Sequence, residues 1–139
     1  MTIFVDTNVL LYSISDRRED QVKRGLAIDL LKSRRCALSA QVFNEFFTQA
    51  TKRTRPDRLP DETAKALIDR WRRFPVQPLD MPLTDLAWEI KGRTNYSWWD
   101  CMIIAAAVAS GCDTLATEDM QHGHVVDGVR IVNPFRDAG

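Results

Sequence analysis

The apolar run Ile3-Phe4-Val5 stops at Asp6, and a second run, Val9-Leu10-Leu11-Tyr12, begins two small polar residues later. A continuous apolar run is the pattern of a strand buried on both faces. A carboxylate at the carboxyl end of such a strand lies where open α/β sheets place their ligands. Residues 8–14 read as a short helix. A clearer one is predicted over 19–34, where Val22, Leu26, Ala27, Leu30 and Leu31 share one face. Lys32, Arg34 and Arg35 close it, as the helix dipole prefers. Residues 36–38 read as a short strand. Ser39 then caps a helix over 40–53 that carries Val42, Phe43, Phe46, Phe47 and Ala50.

Two prolines in the polar stretch 53–60 mark a loop. Asp61 is expected to cap a helix over 61–74, with Ala64, Leu67, Ile68 and Trp71 turned inward. Residues 75–79 suit a short strand, which Pro75 and Pro78 make an edge strand. A helix over 84–93 buries Leu86, Ala87 and Ile90; Ser97 caps the next, over 98–110, and Gly111 ends it. Residues 114–117 and 129–132 supply the last two strands, and Asn133-Pro134 stops the second of them. Strands alternating with helices at this spacing imply βαβ units and a parallel sheet covered on both faces. Right-handed crossovers then put the strand-to-helix turns on one edge. With no repeat, low-complexity segment or linker, residues 1–139 are expected to form one domain.

Four acids fall at or near those turns. Asp6 ends the first strand, Glu45 lies in the second turn after the second strand, and Asp100 is the third residue after the Ser97 cap. Asp119 stands two residues past the fourth strand. Taken singly, Asp6 reads as a helix cap, Asp100 as a complement to the helix dipole and Asp119 as a turn acid. Glu45, flanked by Phe43, Phe46 and Phe47, is harder to explain that way, because an unpaired buried carboxylate is costly. Brought together, the four repel one another, and the usual remedy is a hard divalent cation, Mg²⁺ or Mn²⁺. Such an ion can activate a water for attack on a phosphodiester.

Bulk properties narrow the setting. The chain is 45% hydrophobic and 27% charged, ordinary for a globular protein. No apolar run reaches membrane-spanning length, and the N-terminus lacks the basic and apolar regions of a secretory signal. A cytoplasmic protein with no membrane partner is therefore expected. Cys36, Cys101 and Cys112 lack metal-ligand spacing and read as reduced thiols in or near the core. The net charge is zero, yet residues 17–93 hold 17 Lys/Arg against 11 Asp/Glu. That middle suits a surface gripping a polyanion, although solvated helix faces account for it better on this evidence alone.

The motifs resemble those of the PIN-domain nucleases, and among them the VapC-type toxins of bacterial toxin–antitoxin pairs. The resemblance is carried by Asp6-Thr7-Asn8-Val9-Leu10-Leu11-Tyr12, Asn44-Glu45 and Ser97-Trp98-Trp99-Asp100 with Ile103-Ile104-Ala105-Ala106-Ala107. Gly111-Cys112-Asp113-Thr114-Leu115, Thr117-Glu118-Asp119-Met120-Gln121-His122-Gly123 and Val129-Arg130-Ile131-Val132-Asn133-Pro134-Phe135 complete it in order along the chain. It implies a Mg²⁺- or Mn²⁺-dependent endoribonuclease with Asp6, Glu45, Asp100 and Asp119 as catalytic, metal-holding acids. Asn8 and Thr117 match supporting polar positions; Thr117 is neutral where some relatives carry a further acid, which leaves one or two ions open. A homodimer and a small antitoxin whose C-terminal segment covers the site are implied as well, with structured RNA as substrate.

Other residues are weighed beside these. Arg53, Arg55 and Arg58, and separately Arg70, Arg72 and Arg73, are placed to contact RNA phosphates or antitoxin acids, or merely to solvate helices. Trp98 and Trp99 suit core or dimer packing better than base stacking. His122 and His124 read as structural or exposed rather than as a metal pair. The expected architecture is a three-layer α/β/α sandwich with a central parallel sheet in the order 3-2-1-4-5. The expected function is metal-dependent RNA cleavage by an antitoxin-paired toxin. The alternatives are a PIN nuclease of RNA processing without an antitoxin, and a catalytically weak partner-binding module. A Mg²⁺-dependent phosphohydrolase of small molecules fits less well, because its usual Asp-x-Asp is broken by Asn8.

Overall fold

A computed structural model describes residues 2–137. Met1, Ala138 and Gly139, part of the single domain expected over 1–139, lie outside the described residues. The buried run near the N-terminus is strand β1 (Thr2–Val5), which pairs in parallel with β2 (Arg35–Ser39) on one side and β4 (Thr114–Ala116) on the other. Phe4 and Val5 are fully buried, as a central strand covered on both faces requires. Beyond β2 lies β3 (Val76–Gln77), shorter than the segment read from sequence but at the expected edge. Beyond β4 lie β6 (Val129–Val132), parallel to it, and β5 (Val125–Val126), antiparallel to β6.

Among the described residues the sheet order is β3-β2-β1-β4-β6-β5. The five strands read from sequence stand in their expected order. The addition is β5, which makes the sheet mostly rather than wholly parallel. Its hairpin turns on Asp127-Gly128, with φ of 48° and 83°. Two consecutive left-handed residues are what a tight hairpin turn requires, and glycine tolerates that geometry best.

Crossover handedness sorts the helices. Helices α1 (Thr7–Ser13) and α2 (Gln21–Ser33) link β1 to β2, and α3 (Ala40–Ala50) and α4 (Asp61–Trp71) link β2 to β3. Both links step the same way across the sheet, so right-handed connections put these helices on one face. Helices α5 (Met81–Arg93) and α6 (Trp98–Ala109) lead back across the sheet to β4 and cover the other face. Residues Cys101 to Ala107 of α6 are all buried, and the small Ala105, Ala106 and Ala107 let it lie close to the strands. A fully buried aliphatic side chain such as Ile104 contributes roughly 1.5–3 kcal/mol. Among the described residues no helix is long and apolar enough to cross a membrane.

The helix ends follow capping chemistry. The Ser39 hydroxyl accepts the Val42 N–H at 3.2 Å, and that of Ser97 accepts the Asp100 N–H at 3.2 Å. At the end of α6, Gly111 donates to the Val108 carbonyl and Cys112 to that of Ala107, with Gly111 at φ 71°. Three expectations are corrected. Asp61 is not the cap of α4 but its first residue; Pro60 takes the cap position without a side-chain bond. Helix α5 starts at Met81 because Asp80 caps it and Pro82 fits the first turn. Val22 and Leu26 are exposed rather than inward, whereas Ala27 and Leu31 are buried. Lys23 and Arg24 account for this rotation of α2: Lys23 reaches Glu118 at 3.2 Å and Arg24 the Ser15 carbonyl at 2.9 Å. The three cysteines are free and buried, and burial pushes the Cys36 and Cys112 thiols up to about 11.

Candidate active site

The chain leaves β1 toward β2 on one side and returns through β4 on the other, so the crevice between β1 and β4 is a topological switch point. Asp6 stands in it. Its N–H bonds the Ala116 carbonyl of β4 at 3.1 Å, and its carboxylate caps α1, with Oδ1 accepting the Thr7 N–H at 2.7 Å. The capping reading is therefore true but incomplete. Oδ2 accepts the hydroxyl of Thr117 at 2.8 Å, and that buried hydroxyl itself accepts the Asn8 Nδ2–H at 3.0 Å and the Asp119 N–H at 3.1 Å. Asn8 also donates to Asp119 Oδ2 at 3.0 Å and accepts the Glu118 N–H at 3.3 Å. Asn8 and Thr117 thus bind the loop after β4 to the first turn of α1.

Glu45 comes from the second turn of α3, following β2. It is half-buried: Oε2 accepts the Thr7 hydroxyl at 2.8 Å, and Oε1 accepts Gln41 Nε2–H at 2.9 Å. Gln41 also reaches the Trp99 carbonyl at 3.3 Å, which ties α3 to the first turn of α6 beside Asp100. Thr7 and Gln41 were not singled out in the sequence. Gln41 precedes Glu45 by one helical turn, a spacing that puts two side chains on one face and that could have marked it.

These carboxylates feel one another. Burial is the main reason the Asp6 carboxyl is pushed up to about 6; the bonds from Thr7 and Thr117 oppose this, and the charges of Glu45 and Asp119 add to it. Asp100 is also held above the ordinary carboxylate range, by burial first and then by Asp119 and Glu45. Four acids from β1, α3, α6 and the loop after β4 therefore share one field. Among the described residues none of the four is in an ion pair.

Uncompensated oxygen donors of this kind fit a hard divalent cation. Among the described residues no three His, Cys, Asp or Glu side chains converge closely enough to ligate one ion together. An ion at this edge would therefore take one or two carboxylates directly and meet the others through water.

The remaining expected residues are dispersed. Arg55 lines a cavity of about 310 Å³ with Asn8, Tyr12, Arg17, Glu118 and Asp119, and pairs with Asp57 at 2.9 Å. Arg53 is exposed in the turn preceding it. Arg72 lines a different cavity with Phe43 and Phe74, while Arg73 stacks on the Phe74 ring and donates to the Arg70 carbonyl. His124 bonds the Tyr96 hydroxyl, and His122 accepts the Asn133 N–H, so both are structural. At the rim of the acid centre, Glu118 is held by Lys23 and the Tyr12 hydroxyl.

The PIN domain family model matches residues 3–127. The chain belongs to the PIN domain family. In fold this PIN domain is similar to VapC20 of Mycobacterium tuberculosis, described as a Sarcin-Ricin loop cleaving toxin. The two are 24% identical over 81% of this chain and 86% of that one, with a TM-score of 0.64. It is also similar to a chain of a toxin-antitoxin complex from Klebsiella pneumoniae, at 19% identity over 95% and 97% of the two chains and a TM-score of 0.69. A chain of FitAcB from Neisseria gonorrhoeae matches at 19% identity over 96% and 99%, with a TM-score of 0.67. At these identities the likeness establishes the shared fold. No curated protein sequence matches this chain.

Proposed function

We propose that this PIN domain is a Mg²⁺- or Mn²⁺-dependent endoribonuclease acting as the toxin of a toxin–antitoxin pair. The observation that carries the reading is the set of four carboxylates without counter-charge at the carboxyl edge of the sheet, two of them with raised proton affinity. The toxins and toxin–antitoxin complexes among its structural neighbours support it. One or two of Asp6, Glu45, Asp100 and Asp119 would hold the ion directly and the others through its waters; when bound, it acidifies water and stabilises charge on the phosphate and leaving oxygens. Asn8, Thr117, Thr7 and Gln41 orient the carboxylates, as outer hydrogen-bond partners do at metal centres.

In the reaction, a water oxygen bonds to phosphorus and the bond from phosphorus to the leaving ribose oxygen breaks. The attacking water gives up its proton to solvent, and Asp100, half-exposed at the start of α6, helps hold and orient the ion that would acidify it. The leaving oxygen recovers a proton from solvent. The partners in this reading are structured RNA, a small antitoxin protein and a second copy of the chain in a homodimer.

The test is cleavage of a structured total RNA pool by wild type and Asp100→Asn, each with Mg²⁺, Mn²⁺ or EDTA. Discrete metal-dependent fragments, lost in the variant, are expected. Identical behaviour of both proteins across several pools would favour the partner-binding module instead.

A further inference from the structure

Trp98 and Trp99 stand side by side in the first turn of α6 and differ sharply in surroundings. Trp98 packs on the core and against Trp88 of α5, with ring centroids 4.8 Å apart. Trp99 is 55% exposed, so core packing does not explain it. With Leu79, itself 47% exposed, it lines a cavity of about 370 Å³ whose other walls are Gln41, Asn44 and Glu45.

Three observations specify what this cavity can take. It shares Glu45 with the acid centre, and Gln41 holds both Glu45 and the Trp99 backbone carbonyl, so the helix turn that carries Trp99 keeps a fixed relation to that carboxylate. Its lining contains a carboxylate and no cation, which disfavours a phosphate there. The cavity beside Asn8 and Asp119 does carry cations, Arg17 and Arg55, although Asp20 and Glu118 line it too. The two arginines pair with Glu19 and Asp57, so a backbone phosphate there would compete with those acids for the guanidinium groups. What suits the Trp99 side is an uncharged flat group with an apolar face and a polar edge. Its face would lie on the indole. Its edge would meet the amides of Gln41 and Asn44; Asn44 commits Nδ2 to the Ala40 carbonyl, which leaves Oδ1 to accept.

We propose that the cavity between Trp99 and Leu79 is a nucleobase subsite that holds the base next to the phosphodiester being cut. The proposal rests on the ribonuclease reading of the adjoining acids. A strand bound this way crosses the acid centre with its base at Trp99 and a neighbouring phosphate toward Arg17 and Arg55. Stacking on one aromatic side chain is sequence-tolerant, so the polar edge supplies whatever base preference exists.

The experiment compares wild type, Trp99→Ala and Trp99→Phe as full chains. Fluorescence anisotropy in EDTA is measured with labelled twelve-nucleotide oligoadenylate, oligouridylate and an abasic ribose-phosphate oligomer of equal charge. Wild type is expected to bind a base-containing oligomer more tightly than the abasic one. Trp99→Ala should weaken that binding by about 10- to 100-fold while leaving abasic binding unchanged, and Trp99→Phe should restore most of it. An unchanged ratio of base-containing to abasic affinity in Trp99→Ala overturns the subsite. So does a change of oligomeric state by light scattering without that ratio change, which would assign Trp99 to packing against another protein surface. Metal-dependent RNA cleavage by wild type, run in parallel, separates the two readings. If cleavage persists while the ratio test fails, the subsite alone is wrong; if wild type neither cleaves nor binds RNA, both fall.

Discussion

Asp127 and Asp6 are the same side chain in opposite circumstances. Asp127, in the β5–β6 hairpin, receives both guanidinium nitrogens of Arg93 at 2.7 and 2.9 Å, and that bond holds its carboxyl below the ordinary range. Asp6 has two good hydrogen bonds but no cation, and burial together with its acidic neighbours pushes it up to about 6. Ion pairing at Asp127 joins the end of α5 to the hairpin. At Asp6 the missing counter-charge leaves a demand that only a proton or a metal ion can satisfy. The contrast separates an acid whose charge the fold neutralises from one whose charge it leaves unmet.

The widest way to test that contrast is Asp6→Asn. Cleavage should fall by at least ~10²-fold, while metal-free stability, read by thermal melting, stays level or rises because the variant relieves repulsion. A strong loss of stability would reduce Asp6 to a cap. Next comes pH. The folded value for Asp6 lies above its unfolded value, so its stabilising contribution is complete below about pH 4 and is lost as pH rises through about 6. Metal-free wild type should lose roughly 3 kcal/mol over that window from this group, measured by urea unfolding, and Asp6→Asn should show a flatter profile. Thr7→Val removes the hydroxyl that Glu45 accepts, and activity should drop about tenfold as its carboxylate loses orientation. A variant as active as wild type would mean that Gln41 alone positions Glu45. The smallest effect belongs to Asp127→Asn. Asparagine tolerates the same left-handed backbone, so only an exposed ion pair is lost, and the melting temperature should shift slightly with cleavage unchanged.

Much of this architecture was legible in the chain because it is written locally. The buried run before Asp6, the Ser39 and Ser97 caps and the Gly111 stop each depend on neighbours a few positions away. The β5 hairpin was missed, although Val125-Val126-Asp127-Gly128-Val129 carries the Asp-Gly turn that joins two short strands; at two residues, β5 is too short to show an apolar alternation. The rotation of α2 was not legible. Its apolar periodicity pointed Val22 inward, and the decision rests on Lys23 reaching Glu118, 95 residues away. The acid centre divides in the same way. The four acids could be singled out because strand ends and turns locate them. Thr7 and Gln41 escaped because their partners, Glu45 and the Trp99 carbonyl, stand 38 and 58 residues from them. Trp98 and Trp99 were read as a pair because sequence alone cannot say which of two adjacent tryptophans faces the core.

The most direct test of the central claim, that these acids form a divalent-cation centre, is calorimetric titration of metal-free protein with Mn²⁺ at pH 6. The account predicts saturable binding with proton release, since Asp6 is partly protonated there, and loss of both in Asp6→Asn. No binding to wild type, or equal binding to the variant, would contradict it.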